Sequence, residues 1–469
     1  MSEIAVAVKT LTRTSHLLSL DMKRLTTMEA MMKDVLKATE ALQSGDRDRR
    51  EPSNPMQMQA LSLAVSDLGV RGRTIAQEQD LLASLHFPMI QARHEKIEQA
   101  HARTYEWIFQ TPVSEDAESI RFVEWLEQRN DIFWIHGKPG SGKSTLMKFI
   151  CSHYRTRDHL RRWGARHSEA LDQLRGAKVE GTSELQDENL KRLRYEADLI
   201  ESYHQHRSGG QRSDNGEAAK LVTAKYFFWN SGSKLQKSQE GLLRSLIFEV
   251  LRKCPELVTH VLRTRSGHPG FAADSEEAGP FAVAAPWSFA TTAPWSFEEL
   301  MSTLQDIISV RMSATFCLFI DGLDEYQEEN KRTYRGLVDT LNQIAKFPNV
   351  KICASSRSWT VFLDAFKSTS AYSLKLEDLT REDVRRFVSD KFEQHDQYQQ
   401  LKVYDTGYEA LIDEVANRAQ GVFLWVYLVV KERTLSPSYL CPFSAVPGTL
   451  GSTFAPKLPL IHPKDGSHS

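Results

Sequence analysis

Asp131-Ile-Phe-Trp-Ile-His-Gly137-Lys-Pro-Gly-Ser-Gly142-Lys143-Ser144-Thr145 decides how this chain is read, together with the run Leu146-Met-Lys-Phe-Ile150 that follows it. The first residues are apolar and suit a buried strand, and the last suit a helix. Between them Gly137 to Ser144 fits G-x-x-x-x-G-K-[ST] in the strand-to-helix setting that gives the pattern its meaning. Glycines let backbone N–H groups curl around phosphate oxygens, and a helix N-terminus adds its dipole. The residues expected to cradle phosphate are Gly137, Lys138, Pro139, Gly140, Ser141, Gly142, Lys143, Ser144 and Thr145. Within that set Lys143 supplies a point charge for the outer phosphates, and the Ser144 hydroxyl is a ligand for Mg²⁺. The implied ligand class is a nucleoside triphosphate.

Thr315-Phe-Cys-Leu-Phe-Ile320 reads as a strand buried on both faces, and it runs into Asp321-Gly-Leu-Asp324-Glu325. A carboxylate at the C-terminal end of such a strand lies where open α/β sheets bind ligands. Asp321 is therefore the second expected Mg²⁺ ligand, directly or through water. Asp324 and Glu325, just beyond, are candidates to orient or deprotonate an attacking water. Further strands are read at Leu221–Trp229 and Asn349–Ala354, and a last one at Ser373–Leu376. Helices are read at Gly241–Leu251 and Glu298–Ile308, and after Leu379, where Thr380 is the expected N-cap with Asp383 completing a box-like pattern. Strands alternating with helices behind a phosphate loop imply an α/β fold, a parallel sheet between helical layers.

The combination of Gly-Lys-Pro-Gly-Ser-Gly-Lys-Ser-Thr with Asp-Gly-Leu-Asp-Glu resembles the NACHT branch of the STAND P-loop ATPases. More narrowly it is similar to fungal NACHT proteins whose nucleotide domain is nephrocystin-3-like. Thr104–Phe109, Tyr226–Gly232, Gly241–Leu246, Lys351–Arg357 and Gly421–Val426 carry the same resemblance. It implies a three-layer P-loop NTPase core, ATP or ADP with Mg²⁺ as cofactors, and slow hydrolysis serving a signalling switch. It also implies that Arg357 senses the γ-phosphate, a role that suits a guanidinium, and that the biology is fungal non-self recognition or programmed death. A non-hydrolysing, nucleotide-clamped scaffold is the alternative, and a small-molecule kinase a weaker one. No Asn-Lys-x-Asp element supports GTP, and Trp107 with its neighbours is the guess for adenine.

Length and composition bound the rest. With 469 residues the chain exceeds one compact core. The expected division is a helical N-terminal region to residue 100, the NTPase domain over 101–376, a helical subdomain over 377–433 and a disordered tail over 434–469. Within the NTPase domain a polar insertion covers about 155–218 and a loop about 265–297, the latter with Ala-Pro-Trp-Ser-Phe written twice. Leu18, Leu25 and Met32 recur at sevenfold spacing, a heptad-like seam in a helix over about 14–43. That region is either a self-packed bundle or a module for protein partners, including further copies of the chain. Another helix is read from Met56 to about Leu68, resuming over about 74–85, and a third from Pro88 into Trp107. Lysine and arginine number 59 against 61 acidic residues, so no basic field argues for nucleic acid. The five cysteines show no metal or disulfide spacing. No apolar run reaches membrane-spanning length, and a cytoplasmic protein is expected. Complete STAND proteins continue into a winged-helix domain and a sensor region, so the C-terminus reads as shortened, as a natural short form or a gene-model artefact.

Overall fold

The computed structural model describes residues 77–110, 121–128, 131–180, 220–266, 294–310, 314–327, 333–367, 372–394 and 407–435, with positions 33 and 59. Two compact units emerge. One is drawn from Met1–Gln99, Ile108–His136 and Ser144–Leu374, the other from Ala100–Trp107, Gly137–Lys143 and Lys375–Ser469.

The first unit is built on the sheet. Its strands are β1 (Ile132–His136), β2 (Leu221–Phe227), β3 (Thr315–Asp321), β4 (Val350–Ser356) and β5 (Ser373–Lys375), in the order β2-β3-β4-β1-β5. β2 with β3, β3 with β4 and β4 with β1 all pair in parallel. Every residue of β1, β3 and β4 is buried, as expected of strands covered on both faces. Cys317 and Cys353 are among them and act as small apolar residues.

Helices cover the sheet: α1 (Ala92–Lys96), α2 (Phe122–Gln128), α3 (Lys143–Ser152), α4 (Tyr154–Glu180), α5 (Gln239–Lys253), α6 (Glu256–Ser266), α7 (Phe297–Val310) and α8 (Tyr334–Ala345). Leucines at helical spacing place Leu242, Leu243, Leu246, Val250 and Leu251 of α5 in the same core as Val222, Leu318 and Ile352. Each large apolar side chain so buried contributes about 1.5–3 kcal/mol. Ser238 caps α5 by accepting the Gly241 N–H at 3.1 Å. The second Ala-Pro-Trp-Ser-Phe copy has a structural use: Trp295 is buried, stacks under the Arg265 guanidinium at 3.7 Å and precedes α7.

The second unit holds α9 (Arg381–Glu393), α10 (Gly407–Ala419) and α11 (Phe423–Leu435). Val384, Phe387, Val388, Ile412, Val415, Val426 and Val430 form its core.

Several expectations need correction. Pro88 to Trp107 is not one helix. A turn leads into the five residues of α1, and a short 3₁₀ turn covers Glu106–Phe109. Met89, Arg103 and Tyr105 adopt left-handed backbone, with φ of 66°, 63° and 67°, which no continuous helix accepts. Partners pull the chain aside: Gln236 donates to the Met89 carbonyl, and the Asp383 carboxylate accepts the Tyr105 N–H. β2 stops at Phe227 because Trp229 N–H turns to the Gln236 carbonyl, and β5 ends at Lys375. Thr380 does not cap α9. Its hydroxyl is buried without a hydrogen-bond partner, and Asp383 serves the Tyr105 N–H and the Trp107 indole instead. The helical seam over 14–43 and the stretch 56–68, apart from positions 33 and 59, lie outside the described residues, as do the first pentapeptide copy and the tail beyond Leu435. Among the described residues no helix is long and apolar enough to cross a membrane.

Candidate phosphate and metal site

Asp321 ends β3 completely buried. The register that pairs Ile320 with Ala354 brings Ser355 beside it, and the Ser355 hydroxyl donates to Asp321 Oδ1 at 2.5 Å. The same hydroxyl oxygen accepts the Gly322 N–H at 3.0 Å, fixing the turn that follows. Burial pushes the Asp321 carboxyl up from 3.8 to about 6. The Ser144 and Ser355 hydroxyls and the Arg93 guanidinium favour its ionised form, while the Glu325 charge opposes it. Oδ2 nevertheless has no donor in hydrogen-bonding geometry, although it is buried. A buried carboxylate oxygen without a donor, facing a serine hydroxyl at the first turn of α3, suits a hard divalent cation. Mg²⁺ is ordinarily held by one or two protein oxygens plus phosphate and water. Among the described residues no larger cluster of His, Cys, Asp or Glu offers another metal centre.

Beyond Asp321, Gly322 takes φ 74°, a left-handed conformation that glycine enters without penalty, and the chain turns into Leu323–Glu325. The two acids there differ. Asp324 is tied to one arginine: Oδ1 accepts the Arg357 N–H at 2.9 Å, and Oδ2 pairs with Arg357 Nε at 2.9 Å. Glu325 accepts the Asn230 N–H at Oε2 (2.9 Å) and meets Arg93 at Oε1 (3.5 Å). Arg357 therefore stands at the end of β4 with its guanidinium already oriented by Asp324. The polar residues after β3 and β4 thus converge on the same edge of the sheet. Sequence reasoning missed Ser355 as a partner, Asn230 and Arg93. Ser355 was visible as polar residue in a buried strand, but Arg93 lies 232 positions from Glu325 and shows no signal.

The phosphate loop, in the second unit, is shaped by its own atoms. Lys143 Nζ donates to the Gly137 and Lys138 carbonyls at 2.9 and 2.8 Å, arching back over the loop. Ser141 N–H closes a turn onto the Lys138 carbonyl. Gly142 has φ 97°, and a Cβ there would lie 2.4 Å from the Tyr105 hydroxyl, so both backbone and space require glycine. The Lys138 N–H is held by Glu377 at 3.2 Å, and the Gly140 carbonyl accepts the Leu424 N–H at 3.0 Å. Trp107, the residue guessed for adenine, has its indole N–H committed to Asp383 at 2.7 Å. Pro139 and Thr145 keep the places the pattern gives them, in the loop and in the first turn of α3.

Residues 103–166 and 200–357 match the family model for the N-terminal domain of nephrocystin 3. That match supports a nephrocystin-3-like, NACHT-type domain over β1 to β4 and the motifs that follow them. No curated protein and no solved structure is significantly similar to the chain.

Proposed function

We propose that the chain is an ATP-binding signal switch of the NACHT type, with slow Mg²⁺-dependent hydrolysis. One observation carries the reading: the serine that ends the phosphate-loop pattern and the acid that ends β3 face each other, with a carboxylate oxygen left without a donor. Gly137 to Thr145 would bind the phosphates through backbone N–H groups, with Lys143 exchanging its loop carbonyls for phosphate oxygens. Ser144 and Asp321 would hold Mg²⁺, which when bound neutralises charge on the phosphate oxygens. Glu325 is the side chain assigned to take a proton from the attacking water as the bond between the β–γ bridging oxygen and the γ-phosphorus breaks. ADP and phosphate are the products. Asp324 acts by orienting Arg357, whose guanidinium would answer to the γ-phosphate. In this reading protein partners, including further copies of the chain, engage the N-terminal helices, and the setting is fungal non-self recognition or programmed death.

A second reading has an observation of its own. Both acids of the turn are held by arginines, Asp324 by Arg357 and Glu325 by Arg93, as suits a scaffold that clamps nucleotide without turnover. Single-turnover release of phosphate from ATP separates the two. The switch predicts release that is lost in Glu325→Gln and strongly slowed in Asp324→Asn. Tight nucleotide retention with no release from the wild type supports the clamp.

A further inference from the structure

The segment 89–97, which holds α1, reaches the acid end of β3. α1 buries none of its five residues, yet its side chains grip the first unit at separate points. His94 packs edge-on against Phe227 at 5.0 Å and sits 3.3 Å from Lys225 Nζ. Lys96 lies 4.2 Å over the Trp229 ring. Lys148 of α3 donates to the Ile97 carbonyl, and Gln236 to that of Met89. These contacts present Arg93 to Glu325, with its guanidinium also close enough to Asp321 to favour that carboxylate's charge. Arg93 Nε is buried without a hydrogen-bond partner, so the guanidinium is not locked by a second acceptor there.

We propose that Arg93 is a positioning residue that restrains Glu325, making hydrolysis depend on how the segment 89–97 is seated. This rests on the reading of Glu325 as the residue that receives the water's proton. A base must offer an oxygen and attract a proton. Here Oε2 accepts the Asn230 N–H and Oε1 faces the Arg93 guanidinium, so both carboxylate oxygens are already engaged when a water must be met. The contact is long and partly exposed, with side chains 27% and 25% accessible, so it is readily exchanged. The remaining charges nearby are committed: Asp324 to Arg357, and Asp321 to Ser355. Arg93 is thus the one of these contacts that comes from the segment leading out of the N-terminal region. A partner that tugs on this segment would free the base without touching nucleotide.

Steady-state and single-turnover hydrolysis of ATP by the full chain tests it in wild type, Arg93→Gln, Arg93→Lys, Glu325→Gln and the double variant Arg93→Gln/Glu325→Gln. Arg93→Gln should raise kcat about fivefold with KM for ATP changed less than about twofold. Arg93→Lys should return kcat to the wild-type level, and Glu325→Gln should erase the gain. A misfolded protein would not turn over faster, so the sign separates restraint from damage. An Arg93→Gln kcat equal to or below wild type, with Glu325→Gln inactive, overturns the restraint and leaves the hydrolytic reading standing. Glu325→Gln turning over at the wild-type rate overturns both. Release that appears only once Arg93 is replaced supports the restraint in its strongest form.

Discussion

Replacing Asp321 by Asn isolates the energetic tension at the end of β3. In the folded chain burial lifts this carboxyl from 3.8 to about 6. Above pH 6 the folded protein must therefore carry a charge that the unfolded chain carries more easily. The difference between about 6 and 3.8, at about 1.4 kcal/mol per pH unit, is about 3 kcal/mol against folding at pH 7. The sign follows from proton binding. Below 3.8 both states are protonated and the penalty is absent; it grows as pH rises toward 6 and is constant above. Asn keeps the shape and an acceptor for the Ser355 hydroxyl while removing the charge. In metal-free buffer with chelator, urea unfolding should show the variant more stable by about 2–3 kcal/mol at pH 7. At pH 4 the two proteins should nearly coincide. Adding Mg²⁺ with nucleotide should stabilise the wild type and not the variant, since only a bound cation repays the buried charge. A variant equal to or less stable than wild type at pH 7 without metal would show that the buried Asp321 charge carries no such penalty.

Other consequences are as direct. Lys351 is fully buried, held by the Trp125 carbonyl and by the faces of Trp125 and Trp163 at 5.4 and 4.4 Å, and burial drives its amine well below the usual lysine range. Lys351→Met should raise stability at pH 7 by about 1–3 kcal/mol, with the advantage shrinking as pH approaches the unfolded value of 10.5, which thermal unfolding at pH 6 to 10 would show. Asp383 accepts from the Tyr105 N–H and the Trp107 indole, so Asp383→Ala should strand two donors and cost about 1–3 kcal/mol. Protease sensitivity rising between residues 100 and 107 in that variant is the check.

How much of this was legible in the sequence varies with the range of the force involved. The strands β1 and β3 announce themselves because burial on both faces demands unbroken apolar runs such as Ile132–Ile135 and Phe316–Ile320. The helix α5 shows in its leucines, while its Ser238 cap came only with the structure. Asp321 and Ser144 were legible as a pair because each stands at the end of a recognisable element. Glu325 and Asp324 read as equals, yet the structure gives them different partners, and only spatial neighbours such as Asn230 and Arg93 make that difference. Pro88 to Trp107 misled most. Its composition permits a helix, but contacts with Gln236 and Asp383, distant in sequence, outweigh propensity there. Thr380 misled similarly, since a cap pattern says nothing of the backbone angles the Ncap residue adopts.

In the proposed switch the loop cation Lys143 and the buried acid Asp321 would serve one Mg²⁺-bound triphosphate. Calorimetric titration of the metal-depleted chain with ATP, with and without Mg²⁺, tests it most directly. Wild type should bind ATP with Mg²⁺. Lys143→Ala should bind at least about a hundredfold more weakly while keeping its far-UV circular dichroism, through loss of a charged phosphate contact. Equal affinity in wild type and Lys143→Ala would exclude Lys143 from the phosphate site, and no heat from wild type at millimolar ATP and Mg²⁺ would exclude the nucleotide site itself.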